Sequence, residues 1–215
     1  MSRLAAGNDS LVVSYLALRR AIGIVGVALP FVLALGTVAA GGSGIQRSVS
    51  AYYYTAMGDV LVGSLCAIGV FLYSYEGYDR RDDIAGNLAC LFAVGVALCP
   101  TTPASGASRM QEIVGGLHLA FAAALFLTLA YFCLALFRRT DPEATPTPQK
   151  LQRNVVYTTC GWTILACITA IGLLAFVGEA SALRRLRPVY WLEATAIVAF
   201  GISWLTKGET ILADG

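Results

Sequence analysis

Charged residues and histidine are scarce in this sequence. Lys, Arg, Asp and Glu make up 13% of the 215 residues, whereas about 25% is usual in soluble domains. The 15 basic and 13 acidic side chains leave a charge of +2, which is too balanced to indicate a nucleic-acid partner. The one histidine, His118, excludes every site that needs two or three histidines. We therefore expect neither a metal nor another cofactor.

Recognisable catalytic and disulfide motifs are also missing. The sequence has no HExxH, no GxSxG and no CxxC. Its six cysteines all lie inside apolar segments, which predicts small packing residues in a bilayer rather than a disulfide framework.

Long apolar segments are abundant. Apolar residues make up 57% of the chain and the mean hydropathy is +0.70, more than the core of a soluble fold of this size can bury. The pattern predicts an all-α polytopic membrane protein, a bundle of six transmembrane helices forming one domain over residues 1–215. The predicted spans are about 21–40, 57–75, 84–100, 113–137, 155–177 and 189–206.

The distribution of basic residues predicts the orientation. With a cytoplasmic N-terminus, ten of the 15 Lys and Arg residues fall on the inner side and five on the outer side. We expect a protein of the cell inner (plasma) membrane with both termini in the cytoplasm and no cleaved signal peptide. Residues 9–20 are predicted to extend the first helix or to form a short interfacial helix.

Two loops have distinctive compositions. The loop EGYDRRDD mixes charges of both signs and is predicted to be a solvated turn. The loop GGSGIQRSVSAYYYTA carries three consecutive tyrosines, which are typical of an aromatic belt at the membrane interface. The alternative is that these tyrosines form the lip of a substrate site.

Ionisable residues inside membrane spans are costly and need a reason. Asp59, His118 and Glu193 each lie near the start of a span that runs inward, so the topology places all three at one level in the outer leaflet. Lys207, at the inner end of the sixth span, is predicted to extend to the headgroups or to lie near Asn87.

Helical spacing predicts one face on each of these helices. Small residues on a face allow neighbouring helices to approach closely around a polar group. The predicted faces are Asp59, Gly63, Cys66 and Val70; Gly115, His118 and Ala122; and Glu193, Ala196, Phe200, Ser203 and Lys207.

Three interpretations of the trio remain open. It is a structural network with the histidine between two carboxylates, a polar ligand pocket with Tyr53, Tyr54 and Glu112 at its rim, or a catalytic or metal site, since one histidine and two carboxylates can hold a divalent metal. In the third case His118 is the general base, Asp59 or Glu193 orients it, and Ser50 is the nearby hydroxyl.

Three stretches carry a resemblance to a known family: SVSAYYYTAMGDVLVGSLCAIGVFLY, VGGLHLAFAAALFLTLAYF and VYWLEATAIVAFGISWLT. With the six-span layout they resemble the Frag1/DRAM/Sfk1 superfamily of small membrane proteins. That family has a polar Ser/Asp loop before the second span, a His–small-residue stretch in the fourth and a Glu early in the last. The matching positions are Ser50, His118 and Glu193, although Ala51 follows Ser50 where such loops usually have Asp.

The resemblance implies association with membrane lipids more than a reaction, because family members are linked to GPI-anchor lipid remodelling, phosphoinositide control, lipid retention and autophagy. We therefore expect a non-enzymatic protein that holds a lipid or small polar ligand in an outer-leaflet pocket. The alternatives are a membrane-embedded hydrolase or transferase acting on lipid headgroups, and an accessory subunit. The expected partners are membrane lipids and either further copies of the chain or a larger membrane complex.

Overall fold

The computed structural model describes residues 2–75, 77, 79–140, 147–176 and 185–212, with side chains from residue 15 onward. Over these ranges the chain forms six α-helices. They are α1 (Ser2–Ala39), α2 (Gly58–Tyr73), α3 (Arg80–Leu98), α4 (Arg109–Tyr131), α5 (Pro148–Leu174) and α6 (Pro188–Lys207). A 3-10 helix, Ser50–Tyr54, lies between α1 and α2, and a π-helical turn, Phe132–Leu136, extends α4.

This architecture confirms the predicted all-α, six-helix membrane bundle. Four helical segments are long and apolar enough to cross a membrane, namely Tyr15–Ala39, Arg109–Leu136, Pro148–Leu174 and Pro188–Lys207. α2 is apolar but shorter, with 16 residues. Each predicted span coincides with one helix. α1 is unbroken, so residues 9–20 extend the first span instead of forming a separate helix.

Polar residues at the helix starts explain where three helices begin. Asp79 and Ser108 each accept a backbone N–H in a capping box that opens α3 and α4. Thr147 caps α5, which has proline in its first turn. These side chains satisfy N–H groups that have no partner within the helix.

The helices form a closed ring in chain order. Each packs against the next, and α6 returns to pack against α1. Glycines allow that last contact to be close, because a Cβ atom on Gly201 would lie 2.7 Å from the backbone nitrogen of Val27. One end of the ring carries the start of α3 and the end of α6 and is here called the terminal end. There Arg20 Nε donates to the carbonyl of Gly208 at 2.8 Å. At the opposite end, here called the loop end, the backbone at Val49 contacts Glu193.

Candidate functional site

Glu193 fixes the loop before α2 over the loop end of the ring. Its Oε2 accepts hydrogen bonds from the backbone N–H of Val49 at 2.6 Å and of Ser50 at 3.3 Å. The Ser48 hydroxyl accepts the N–H of Ala51 at 3.0 Å. The segment Ser48–Tyr54 is therefore a cover held by a side chain of α6, and its first N–H groups have partners despite their burial.

The three tyrosines of this cover have different environments. Tyr52 is fully buried, with its ring centroid 6.1 Å from that of Tyr190 on α6. Tyr53 and Tyr54 are 36% and 47% exposed, and the Tyr54 hydroxyl donates to the carbonyl of Thr101 at 2.6 Å. The prediction of an aromatic belt is therefore wrong for Tyr52, whose ring helps to anchor the cover to the ring of helices.

A cavity of about 60 Å³ lies beneath the cover. Five helices and the cover line it, almost entirely with apolar side chains. Ser50 and Glu193 supply the polar groups, and the other lining residues are Leu29, Val49, Leu61, Leu65, Ile68, Val96, Ala122, Leu125, Phe126, Leu129, Ile197 and Phe200. Apolar cavities stay dry and accept apolar molecules. The space beside Glu193 is thus an apolar cavity, not the polar pocket that the sequence suggested.

His118 lines a different space from Glu193, and the two spaces have part of their lining in common. It is only 4% exposed, and its Nδ1 donates to the carbonyl of Cys99 at 2.7 Å. It lines a second, smaller space of about 10 Å³ together with Ser50 and Tyr53. The residues common to both spaces are Ser50, Leu61, Leu65 and Val96. The structure thus places the histidine against a backbone carbonyl rather than between two carboxylates.

Asp59 and Glu112 are both exposed, Asp59 in the first turn of α2 and Glu112 in the first turn of α4. The predicted face that carries Asp59 points outward, because Gly63 has open space around it and Val70 is 56% exposed. The face of α4 that carries His118 and the face of α6 that carries Glu193 point inward, as predicted. Of the trio, the structure brings His118 and Glu193 to one region, and Asp59 lies on the outside.

A charged cluster at the terminal end was missed in the sequence. Arg139 binds Asp79 at 2.5 Å and Asp82 at 3.0 Å, and Asp82 is fully buried. The predicted solvated turn is therefore wrong for Asp82; Glu76 and Tyr78 of that loop lie outside the described residues. The hydrogen-bonded Arg139 guanidinium holds the pKa of Asp79 well below its usual range.

Aromatic rings surround the cations of this cluster. The Arg19 guanidinium lies 4.4 Å from the Tyr15 ring centroid and 5.5 Å from that of Tyr75. Lys207 Nζ lies 5.6 Å from the Phe137 ring. Arg19 and Asp82 are among the charged residues that interact electrostatically with it. Lys207 is thus an inward-facing member of the cluster. The sequence shows these charged residues. Predicting that they lie together would have required the order in which the helices pack.

The fold and the site define a helical integral membrane protein with a covered apolar cavity. All six cysteines are free, and no group of three or more His, Cys, Asp or Glu that could hold a metal occurs in the described part of the chain. No protein-family model, curated protein or solved structure matches this chain. The resemblance drawn from the sequence stays a prediction.

Proposed function

We propose that this integral membrane protein binds an amphipathic ligand, a membrane lipid in the first instance, without transforming it. The apolar segment of the ligand occupies the central cavity, and its polar group lies against Ser50 and Glu193. The observation that carries the proposal is the composition of the cavity wall, in which a glutamate and a serine are the polar residues of an otherwise apolar set.

The size of the cavity limits what it holds. About 60 Å³ accommodates a short apolar segment and not a whole lipid. The rest of the ligand must therefore lie outside the cavity, towards the cover or between helices. A ligand of this kind gains from burying its apolar part, and its polar group avoids the cost of an unsatisfied polar atom by meeting Ser50 and Glu193.

The cover supplies a means of controlling access. Its backbone is attached to α6 through the Glu193 carboxylate, and Ser50 belongs to both the cover and the cavity wall. A change in the polar end of the site therefore acts directly on the segment that closes it. We expect Glu193→Gln to alter how long a lipid is retained while the fold survives.

The experiment compares two substitutions at adjacent positions of α4. Ala122 lines the cavity, and Ala123 is exposed on the outside of the bundle. Ala122→Leu adds the same atoms as Ala123→Leu but places them in the cavity. Lipid that remains after detergent purification is extracted and quantified by mass spectrometry, and we expect Ala122→Leu to retain much less of the defined lipid than the wild type or Ala123→Leu.

Equal lipid retention in both variants would overturn the proposal. Thermal unfolding of the two variants serves as the control for folding, because overpacking a core costs about 1–3 kcal/mol. The hydrolase alternative places Ser50 and His118 at one reaction centre. The space they share measures only about 10 Å³, which leaves no room for a substrate bond between them, and binding is therefore the function we favour.

A further inference from the structure

A second apolar groove lies on the outside of the bundle, between α3 and α4. Its volume is about 360 Å³, and its walls carry the exposed side chains of Ile84, Leu88 and Leu127. Arg81 and Tyr131 line the same groove. It is separate from the central cavity, with which it shares no lining residue.

The groove runs along the first part of α3 and the last turns of α4. Arg81 lies in the first turn of α3, and Tyr131 is the last residue of α4 before the π-helical turn Phe132–Leu136, so both lie at the terminal end of the groove. From Arg81 to Leu88 the groove extends seven residues along α3, or about 10 Å. A charged group at one end and apolar walls beyond it match the order of headgroup and acyl chain in a phospholipid.

The positive charge of Arg81 favours a lipid with an anionic headgroup. Arg81 is the one charged residue among its lining residues, and in the described part of the chain its guanidinium forms no ion pair. The neighbouring acids face elsewhere, since Asp79 and Asp82 bind Arg139 and Asp83 lines a different groove. A guanidinium with free donors prefers the oxygens of a phosphate, which it binds through two parallel hydrogen bonds.

We propose that the groove between α3 and α4 is a binding site for one anionic phospholipid, with the phosphate at Arg81 and an acyl chain along Ile84, Leu88 and Leu127. The Tyr131 hydroxyl stands at the same end as a second donor to the headgroup. This proposal does not depend on the function of the central cavity, because a different helix pair and a different charged residue carry it.

The test is a lipid titration of the full-length protein in detergent, followed by native mass spectrometry. The probes are phosphatidylglycerol and phosphatidylcholine with identical acyl chains. Arg81→Gln is compared with Arg109→Gln, which removes an exposed arginine from the start of α4 at the loop end. We expect the wild type and Arg109→Gln to bind phosphatidylglycerol about fivefold more tightly than phosphatidylcholine, and Arg81→Gln to lose that preference.

Two results would overturn the site. One is equal binding of the two lipids by the wild type, which would make the groove an ordinary part of the lipid-facing surface. The other is an equal preference in Arg81→Gln and Arg109→Gln. If Arg81→Gln does not fold, Arg81→Lys keeps the charge but loses the two-pronged hydrogen bonding, and we expect it to weaken the preference partly. Ala122→Leu should keep the preference for phosphatidylglycerol over phosphatidylcholine, because Arg81 is unchanged, even where its total lipid retention falls, and this separates failure here from failure of the cavity proposal.

Discussion

Glu193 shows what a single residue reveals in a sequence and what it does not. A carboxylate inside an apolar span demands a partner, and that argument correctly marked the position as special. The partners are backbone N–H groups of Val49 and Ser50, not His118 or Asp59. Backbone partners leave no trace in the residue types, so the sequence alone suggested a side-chain network.

The role of Glu193 as the anchor of the cover predicts a graded loss of stability. Glu193→Ala leaves two N–H groups without their acceptor, and a buried unsatisfied donor costs about 1–3 kcal/mol. Glu193→Gln keeps an acceptor oxygen, so the loss is smaller. Thr195→Ala, at an exposed position of α6, is the control. Thermal unfolding followed by tryptophan fluorescence measures the order, and equal midpoints for Glu193→Ala and Thr195→Ala would contradict it.

The Asp79–Arg139 pair predicts a dependence on pH. Because hydrogen bonding to Arg139 lowers the pKa of Asp79 from its ordinary value of 3.8 in the folded protein, the unfolded state binds its proton first as the pH falls. The stabilisation from this pair is therefore present above about pH 4 and is lost below it. Asp79 is exposed, so solvent screening keeps the effect small.

Midpoints of thermal unfolding between about pH 3 and pH 7 measure this effect. We expect acidification to destabilise the wild type more than Arg139→Gln, which has already lost the pair. Arg138→Gln removes the neighbouring exposed arginine, whose guanidinium bonds only to the Leu134 carbonyl among the described residues, and it should follow the wild type. Parallel curves for the wild type and Arg139→Gln would show that the Asp79–Arg139 pair does not cause the pH dependence.

At the scale of the helix, hydropathy and end signals predict position well and rotation poorly. The apolar runs located all six helices, although α1 and α5 start well before their predicted spans. The inward faces of α4 and α6 were also correct. The prediction for α2 was wrong, because the face that carries Asp59 and Gly63 contacts neither a neighbouring helix nor the cavity. In a bilayer both faces of a helix are apolar, so periodicity separates them weakly.

Two glycines give a matched test of the helix contacts. Gly201 on α6 faces α1, and a Cβ there would lie 2.8 Å from the Gly23 carbonyl oxygen, whereas Gly63 on α2 has nothing within 4 Å. Gly201→Ala should destabilise the bundle by about 1–3 kcal/mol through overpacking. Gly63→Ala should leave it unchanged or stabilise it by up to about 1 kcal/mol, because alanine favours a helix. Thermal unfolding measures both, and shifts of the same sign and size would contradict the close contact of α1 with α6.

For the whole molecule, the balance of Lys and Arg still predicts a cytoplasmic terminal end. We propose that orientation for the inner (plasma) membrane. The test uses single cysteines in a cysteine-free background, at Ser105 in the loop end and at Gln149 at the start of α5 in the terminal end, both exposed. A membrane-impermeant thiol reagent added to intact cells should label Ser105→Cys and not Gln149→Cys; the reverse pattern would invert the topology.

The order of the helices was beyond the sequence, because it depends on the summed packing of many side chains. That order closes the ring and creates the cavity under the cover. It also converts scattered charges into the cluster around Asp82. Residue type singled out Ser50, His118 and Glu193 in the sequence, and the structure adds the apolar space that Ser50 and Glu193 line.

If the cavity under the cover holds the apolar part of a ligand, as we propose, that ligand should be visible in the purified protein. An experimental density map of the protein, purified in mild detergent from the membrane in which it was made, tests this most directly. We expect elongated density that starts beside Ser50 and Glu193 and continues between Leu61 and Leu125. A cavity that is empty, or that contains only isolated water-sized peaks, would contradict it.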